Sequence, residues 1–231
     1  MALLRRLSGD QWRGVRHWLM EFVVVAFGVL AALGAQELAQ ELHWKSEVTE
    51  TRKALDAELA YDLAVFKFRI AQKPCIAARL VELDRWAQSF RTGAPLRLKR
   101  SISNPPEFIT RSAVWEVTDG EVASRLPLQA RLNYAALYQR VRTFSGYLDA
   151  EDTYWDTLLT YENSKTLDEE GQRAVERAIG RLSDSNSGMD IMKTGMHREA
   201  NALEIRPEAN IESSANPMIA EGNKRICLSL L

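Results

Sequence analysis

The sequence predicts an all-α protein, an N-terminal transmembrane helix continuing into an extracytoplasmic antiparallel helical bundle. Three observations carry this. Residues Phe22 to Ala35 hold no charged or strongly polar side chain. From Leu38 to Leu203 apolar residues recur at three- and four-residue spacings, as on helices with one buried face. No useful length of chain alternates apolar and polar residues as a half-buried strand does. The 231-residue chain is 46% hydrophobic and 26% charged with a formal net charge of −1, which excludes global disorder and argues against a general nucleic-acid binder. Two cysteines are too few for a disulfide-dense scaffold or an all-cysteine zinc site. The chain divides into a short cytoplasmic segment (1–17), a transmembrane helix (18–36), a bundle domain (37–207) and a C-terminal tail (208–231).

The span from Trp18 to Ala35 is interrupted only by Glu21. At about 1.5 Å per residue it covers roughly 27 Å, the short end of what a bilayer core of about 30 Å requires. No proline follows until Pro74, so the helix can continue past Ala35. A buried core helix would keep a polar face, whereas Val23 to Leu33 is apolar all round. A cleaved signal peptide is the other alternative. Ala32 and Gly34 offer a weak small-x-small site, but seventeen residues precede the apolar run, and the neighbours of Arg5-Arg6 fit a twin-arginine signal poorly. Arg5, Arg6, Arg13 and Arg16 lie before the span, while Glu37 and Glu41 come before the first basic residue after it, Lys45. The positive-inside rule then places the N-terminus in the cytoplasm. Glu21 sits near that interface, where Arg16 or His17 and headgroup water serve it. Gly28 and Ala32 stand four apart, a spacing that lets two spanning helices approach closely. The partners expected are therefore the membrane and either a second copy or another membrane protein, with no nucleic acid.

The stretch from Glu21 through the valines, Gly28, and the Ala-Leu ending at Leu33 resembles the N-terminal anchor of a group of bacterial single-pass membrane proteins of unknown function. Ser112-Ala-Val-Trp115, then Gly120 ahead of a tyrosine-rich helix, is similar to that group as well. The resemblance implies a bacterial plasma-membrane location and a helical extracytoplasmic region. It carries no known activity and no functional residue.

Beyond the span, Leu38, Leu42, Val48, Leu55, Leu59, Phe66 and Ile70 continue a helical pattern, and Lys73-Pro74 is expected to end it. A second helix follows over about Cys75–Phe90, burying Ile76, Leu80, Leu83 and Trp86 or Phe90. Gly93, Pro95 and Asn104-Pro105-Pro106 mark an irregular connection carrying Arg97, Lys99 and Arg100, read as a solvated loop rather than a patch for an acidic partner. A short helix is expected over Ser112–Val117 with a turn at Asp119-Gly120. Pro127 suits the first turn of the next helix, which should bend at Gly146. Another helix spans Leu148–Glu162, and Thr166 with Glu169 reads as a capping box for a following one. Ser183–Gly188 is expected as a loop, with Ser187 capping a last helix from Met189 to about Leu203. The tail from Glu208 shows no clear period.

Chemistry is sparse. His17, His43 and His197 are scattered, and no zinc, nucleophile-elbow or phosphate-loop motif occurs. Asp149, Glu151, Asp152 and Asp156 are read as helix-start charges rather than acid–base catalysts. Met189, Met192 and Met196 ahead of His197 form a stripe read as core packing in preference to a Cu(I) site. Tyr147, Tyr154 and Tyr161 recur every seven residues, as in a helix–helix seam. Tyr134, Tyr138, Tyr154 and Trp155 are the candidates for a small-molecule groove between helices. Cys75 and Cys227 are expected to form a disulfide pinning the tail, a bridge worth about 4–5 kcal/mol in the chain-entropy model. No enzymatic activity and no cofactor are expected. The favoured reading is a non-enzymatic interaction or scaffold protein of the cell envelope. The alternative is a sensor or small-molecule-binding ectodomain acting through a membrane partner, the segment before the span being too short for an output domain.

Overall fold

The computed structural model describes residues 9–106, 108–118, 120–209 and 217–231, with side chains placed from Arg16 onward and, in the last helix, from Ala220. Among them are seven helices and no strands. They are α1 (Gly9–Ala71), α2 (Lys73–Arg91), α3 (Ala113–Val117), α4 (Gly120–Arg125), α5 (Leu128–Tyr161), α6 (Glu169–Ala202) and α7 (Pro217–Ile226). The chain divides into two compact units, 1–50 and 51–231, and α1 contributes to both. Residues 37–50, expected to belong to the bundle, thus group with the N-terminal unit. Leu38 and Leu42, counted above on a buried face, are exposed.

The second unit is built on three long helical columns. The first is α1 from Thr51 followed by α2, interrupted only at Gln72. Lys73-Pro74 does not end the column. Pro74 has no N–H to return to the carbonyl of Ile70, so the ladder breaks for one residue. It then resumes with the Ile76 N–H donating to Gln72 O at 3.0 Å. The other columns, α5 and α6, have 34 residues each, about 50 Å at helical rise. Both are unbroken where breaks were expected. Gly146 lies inside α5, and the whole of Ser183–Gly188 lies inside α6, so Ser187 caps nothing. A glycine or a run of small polar residues lowers helix propensity by about 1 kcal/mol per residue or less, and packing along both helices outweighs that. The cap of α6 is Asp168, whose Oδ1 accepts from Gly171 N at 2.7 Å, and not Thr166. Its far end closes with Glu204 in the left-handed region (φ 61°) and Ile205 N–H on Ala200 O, a Schellman arrangement. Of the turn expected at Asp119-Gly120, Asp119 lies outside the described residues and Gly120 opens α4; Pro127 is the N-cap of α5.

The columns are not all antiparallel. α5 and α6 are, being joined by a short loop. Column one instead runs alongside α5 in the same direction, since Asp56, Glu58, Phe66 and Arg69 meet Tyr134, Tyr138, Phe144 and Glu151 in that order. A parallel pair needs a long return, here residues 92–127. That segment descends column one as it goes: Phe108 packs on Phe68, Arg111 reaches Asp62 and Val114 reaches Glu58.

The interior falls into two clusters. One joins Leu55, Leu59 and Phe66 of α1 to Tyr138 and Phe144 of α5 and Met189 and Met196 of α6. The other joins Ile76, Leu83 and Trp86 of α2 to Trp155 of α5 and Val175 and Leu182 of α6. Ile226 and Leu230 complete the second cluster, so the end of the expected tail is core. At the level of the α1–α2 break sits a buried polar node. Arg69 donates Nε to Glu151 Oε2 at 2.9 Å and Nη2 to Glu151 Oε1, and Nη1 reaches Asn186 Oδ1 at 3.3 Å. Asn186 Nδ2 in turn donates at 3.3 Å to the carbonyl of Lys73, the first residue of α2.

Removing one member of a buried, bidentate pair leaves the other charge uncompensated. Glu151→Gln and Arg69→Met should each lower the unfolding free energy by about 3–5 kcal/mol. The double variant Arg69→Met/Glu151→Gln should lose markedly less than the two single losses added together. Urea denaturation of the full-length chain in maltoside micelles, read as a double-mutant cycle, measures this, and strict additivity would contradict it.

Candidate functional site

Three features of the molecule bear on function: the apolar length of α1, the cystine that holds the C-terminus, and an acidic cluster on α1 that captures the return segment.

One helix among the described residues is long and apolar enough to cross a membrane, with an 18-residue window of hydropathy 2.1, none of it buried within the protein. Trp18, Phe22, Val24, Phe27 and Leu30 are all more than half exposed. Trp18 stacks on Phe22 with ring centroids 5.9 Å apart. His17 Nε2 lies 3.8 Å from Glu21 Oε1, the local partner expected for that carboxylate. A Cβ added at Gly28 would meet nothing within 4 Å, so the small-residue face of Gly28 and Ala32 is open.

Cys75 and Cys227 are joined, with Cα atoms 4.6 Å apart at a sequence separation of 152. Closing so long a loop stabilises by about 5 kcal/mol in the chain-entropy model. The bridge does not hold the C-terminus alone. Buried Arg79, one turn beyond Cys75, donates Nη2 to the carbonyls of Arg225 (2.7 Å), Ile226 (3.3 Å) and Leu228 (2.7 Å). A cation at the C-terminal end of α7 satisfies carbonyls that have no helical partner. Glu82 accepts from Leu230 N at 2.7 Å and from the Ser229 hydroxyl. Partial desolvation works against the carboxylate, yet these bonds and the charge of Arg79 hold it below the ordinary range. Gln72, at the column break, donates to Asn223 Oδ1 of α7 at 3.2 Å.

The acidic cluster is Asp56, Glu58 and Asp62, all on α1. Glu58 accepts from the Tyr138 hydroxyl at 2.7 Å and from Val114 N at 3.0 Å, at the start of α3. Asp62 Oδ1 accepts from Arg111 N at 2.9 Å, and its Oδ2 is buried with no partner among the described residues. The Arg111 guanidinium lies 3.6 Å over the ring of Tyr61. Trp115 stacks on Tyr138 at 4.9 Å, so the Ser112–Trp115 motif is the piece of the return segment clamped to α1. Burial raises the Asp62 pKa to about 7, with Glu58 adding to the rise and the Arg111 N–H and charge opposing it. Burial and the bond to Asp56 push Tyr134 up to about 12, and burial with Glu58 raises Tyr138 as well.

The groove candidates do not come together. Tyr134 and Tyr138 are buried in the first cluster with their hydroxyls on Asp56 and Glu58. Trp155 is buried in the second cluster, and Tyr154 is half-buried against it. The heptad tyrosines do line the α5–α6 seam: a Cβ on Gly188 would lie 2.7 Å from the Tyr147 hydroxyl, and one on Gly171 3.1 Å from the Tyr161 ring. Met189, Met192 and Met196 are buried in the first cluster, while His197 is exposed. Among the described residues no group of three His, Cys, Asp or Glu side chains is placed to hold a metal. Sequence reasoning missed the Glu58–Asp62 pair, although two carboxylates one turn apart inside an apolar stripe were the available signal.

No family model, no curated protein and no solved structure matches this chain.

Two outcomes follow. Asp62 has a folded pKa above its unfolded value of 3.8, so the folded state holds the extra proton between about pH 4 and 7. Stability from this group is full below pH 4 and is lost as pH rises through about 7. Asp62→Asn should therefore gain on the parent by about 1–3 kcal/mol between pH 5 and pH 8. Parallel denaturation curves for parent and variant at the two pH values would contradict it. Separately, denatured protein without reductant should label with no maleimide. Reduction should cost about 2–5 kcal/mol of stability.

Proposed function

We propose that this chain is a single-pass membrane protein that displays a non-enzymatic, helical interaction domain on the extracytoplasmic face of a bacterial plasma membrane. The observation that carries the reading is the span from Trp18 to Ala35, an apolar helical surface that is exposed among the described residues. In water that surface would be exposed at a cost of about 25 cal/mol per Å². A bilayer removes that cost, and a helix satisfies its own backbone there. The arginines before the span support an N-terminus on the cytoplasmic side. The Cys75–Cys227 bridge supports an oxidising compartment for the rest of the chain. The resemblance of the anchor and of Ser112–Trp115 to single-pass bacterial proteins supports the same topology. Gly28 and Ala32 offer a face for a second copy or another spanning helix. The domain acts by holding a rigid helical surface at the membrane for other envelope components, and the bundle spends its buried tyrosines and carboxylates on its own cohesion.

The full-length protein, expressed in a bacterial host, should remain in the membrane pellet through alkaline carbonate extraction. Alkaline phosphatase fused to its C-terminus should be active, and green fluorescent protein fused there should be dark. Recovery of the full-length chain in a detergent-free supernatant, or a bright fluorescent fusion, would refute the reading.

A further inference from the structure

The cystine-held end of the bundle contains a basic cleft of about 240 Å³ that the proposed function does not use. It is lined by Arg79, Arg100, Ser101, Ser103, Arg225 and Leu228. Arg79 lies on α2, Arg225 and Leu228 flank Cys227, and the other three come from the return segment, so three separate stretches of chain bring three guanidiniums and two hydroxyls to one place. Like charges are costly to gather without an anion. The carboxylates nearby answer only part of this charge: Glu82 interacts with Arg79, and Glu162 accepts from the Ser101 hydroxyl at 2.9 Å. Glu82 spends both oxygens on Ser229 and Leu230, and Glu221 meets Arg225 Nε at 3.3 Å on the exposed side. Arg100 forms no ion pair among the described residues. Arg79 is the most telling. Its side chain is 98% buried (2% exposed), and its protein acceptors are all on Nη2, which leaves Nε and Nη1 with no partner among the described residues. A buried donor left unmade costs about 1–3 kcal/mol, more when charged.

We infer that this cleft is a binding site for a small phosphoryl oxyanion, inorganic phosphate or a short phosphomonoester, held by the guanidiniums of Arg79, Arg100 and Arg225 with the hydroxyl of Ser103. Guanidinium forks match tetrahedral phosphoryl oxygens in pairs, and a serine hydroxyl donates to a remaining one. The volume admits the anion with a few carbons, for which Leu228 is the apolar wall. The inference concerns residues 79–228 and stands whichever side of a membrane they occupy.

Isothermal titration of the full-length protein in maltoside micelles, with inorganic phosphate and with glycerol 3-phosphate, tests it. Arg79 also caps α7, so the informative variants are the exposed Arg100→Gln and Arg225→Gln, with Arg97→Gln as a basic control on the same loop outside the cleft. Saturable one-site binding is expected, weakened about tenfold by each cleft variant, abolished by the two together, and unchanged by Arg97→Gln. Tighter binding of inorganic phosphate marks the free anion as the ligand, and tighter binding of the ester marks the carbon-bearing form. No saturable binding of either probe overturns the inference. So does binding that the double variant retains, or that Arg97→Gln weakens as much as the cleft variants do.

Discussion

The node of Arg69, Glu151 and Asn186 is the constraint on which the bundle depends. Pro74 breaks the first column by leaving the Ile70 carbonyl without its helical donor. Beside the break Asn186 donates to Lys73 O and at the same time accepts from Arg69, whose charge Glu151 neutralises. Each of the three columns contributes one member. Sliding any column by a turn would strand a charge between the two apolar clusters, so the node sets the register of all three. It also accounts for the division of the core: α1 fills one side of the break and α2 the other. The side chains above and below can be ordinary hydrophobes because alignment is not left to them.

The same logic extends along column one. A parallel α1–α5 pairing obliges the chain to return over some 35 residues, most of them irregular, and irregular backbone is held only where its N–H groups find acceptors. Glu58 and Asp62 are those acceptors. Their desolvation is offset by bonds from Val114, Arg111 and Tyr138, although among the described residues Asp62 keeps one oxygen unpaired. The aromatic contacts of Phe108 and Trp115 then seal the segment against Phe68 and Tyr138. At the opposite end Arg79, Glu82 and the cystine perform the matching task for the C-terminus. Away from the node, Glu58, Asp62 and Arg79 therefore fasten connections to the helices.

The span from Trp18 to Ala35 obeys the reverse rule. Its apolar side chains are exposed on every side of the helix, while the residues of α1 from Leu55 onward bury theirs on one side only. A single helix thus changes from uniformly apolar to amphipathic along its length, which is what a change of surrounding medium from lipid to water and protein requires.

Much of this was legible in the order of residues. The all-α class, the apolar span, the helical content of each column, the methionine stripe and the tyrosine seam all follow from local periodicity, because burial of one helical face is a short-range pattern. The pairing of Cys75 with Cys227 was legible too, since two cysteines admit one intramolecular bridge. Breaks were legible badly. Gly146 and Ser183–Gly188 look like interruptions but lie within helices, for propensity is worth tenths of a kcal/mol and the seam between α5 and α6 is worth more. Pro74 looks like an end and is only a break, because the ladder resumes at once with Ile76 N–H on Gln72 O. The parallel direction of α1 and α5, the docking of residues 226–230 into the second cluster, the separation of Tyr134 and Tyr138 from Trp155, and the meeting of Arg79, Arg100 and Arg225 were decided by tertiary structure alone. Each depends on which distant residues share a place in space, and the energies that settle it act between columns rather than along them.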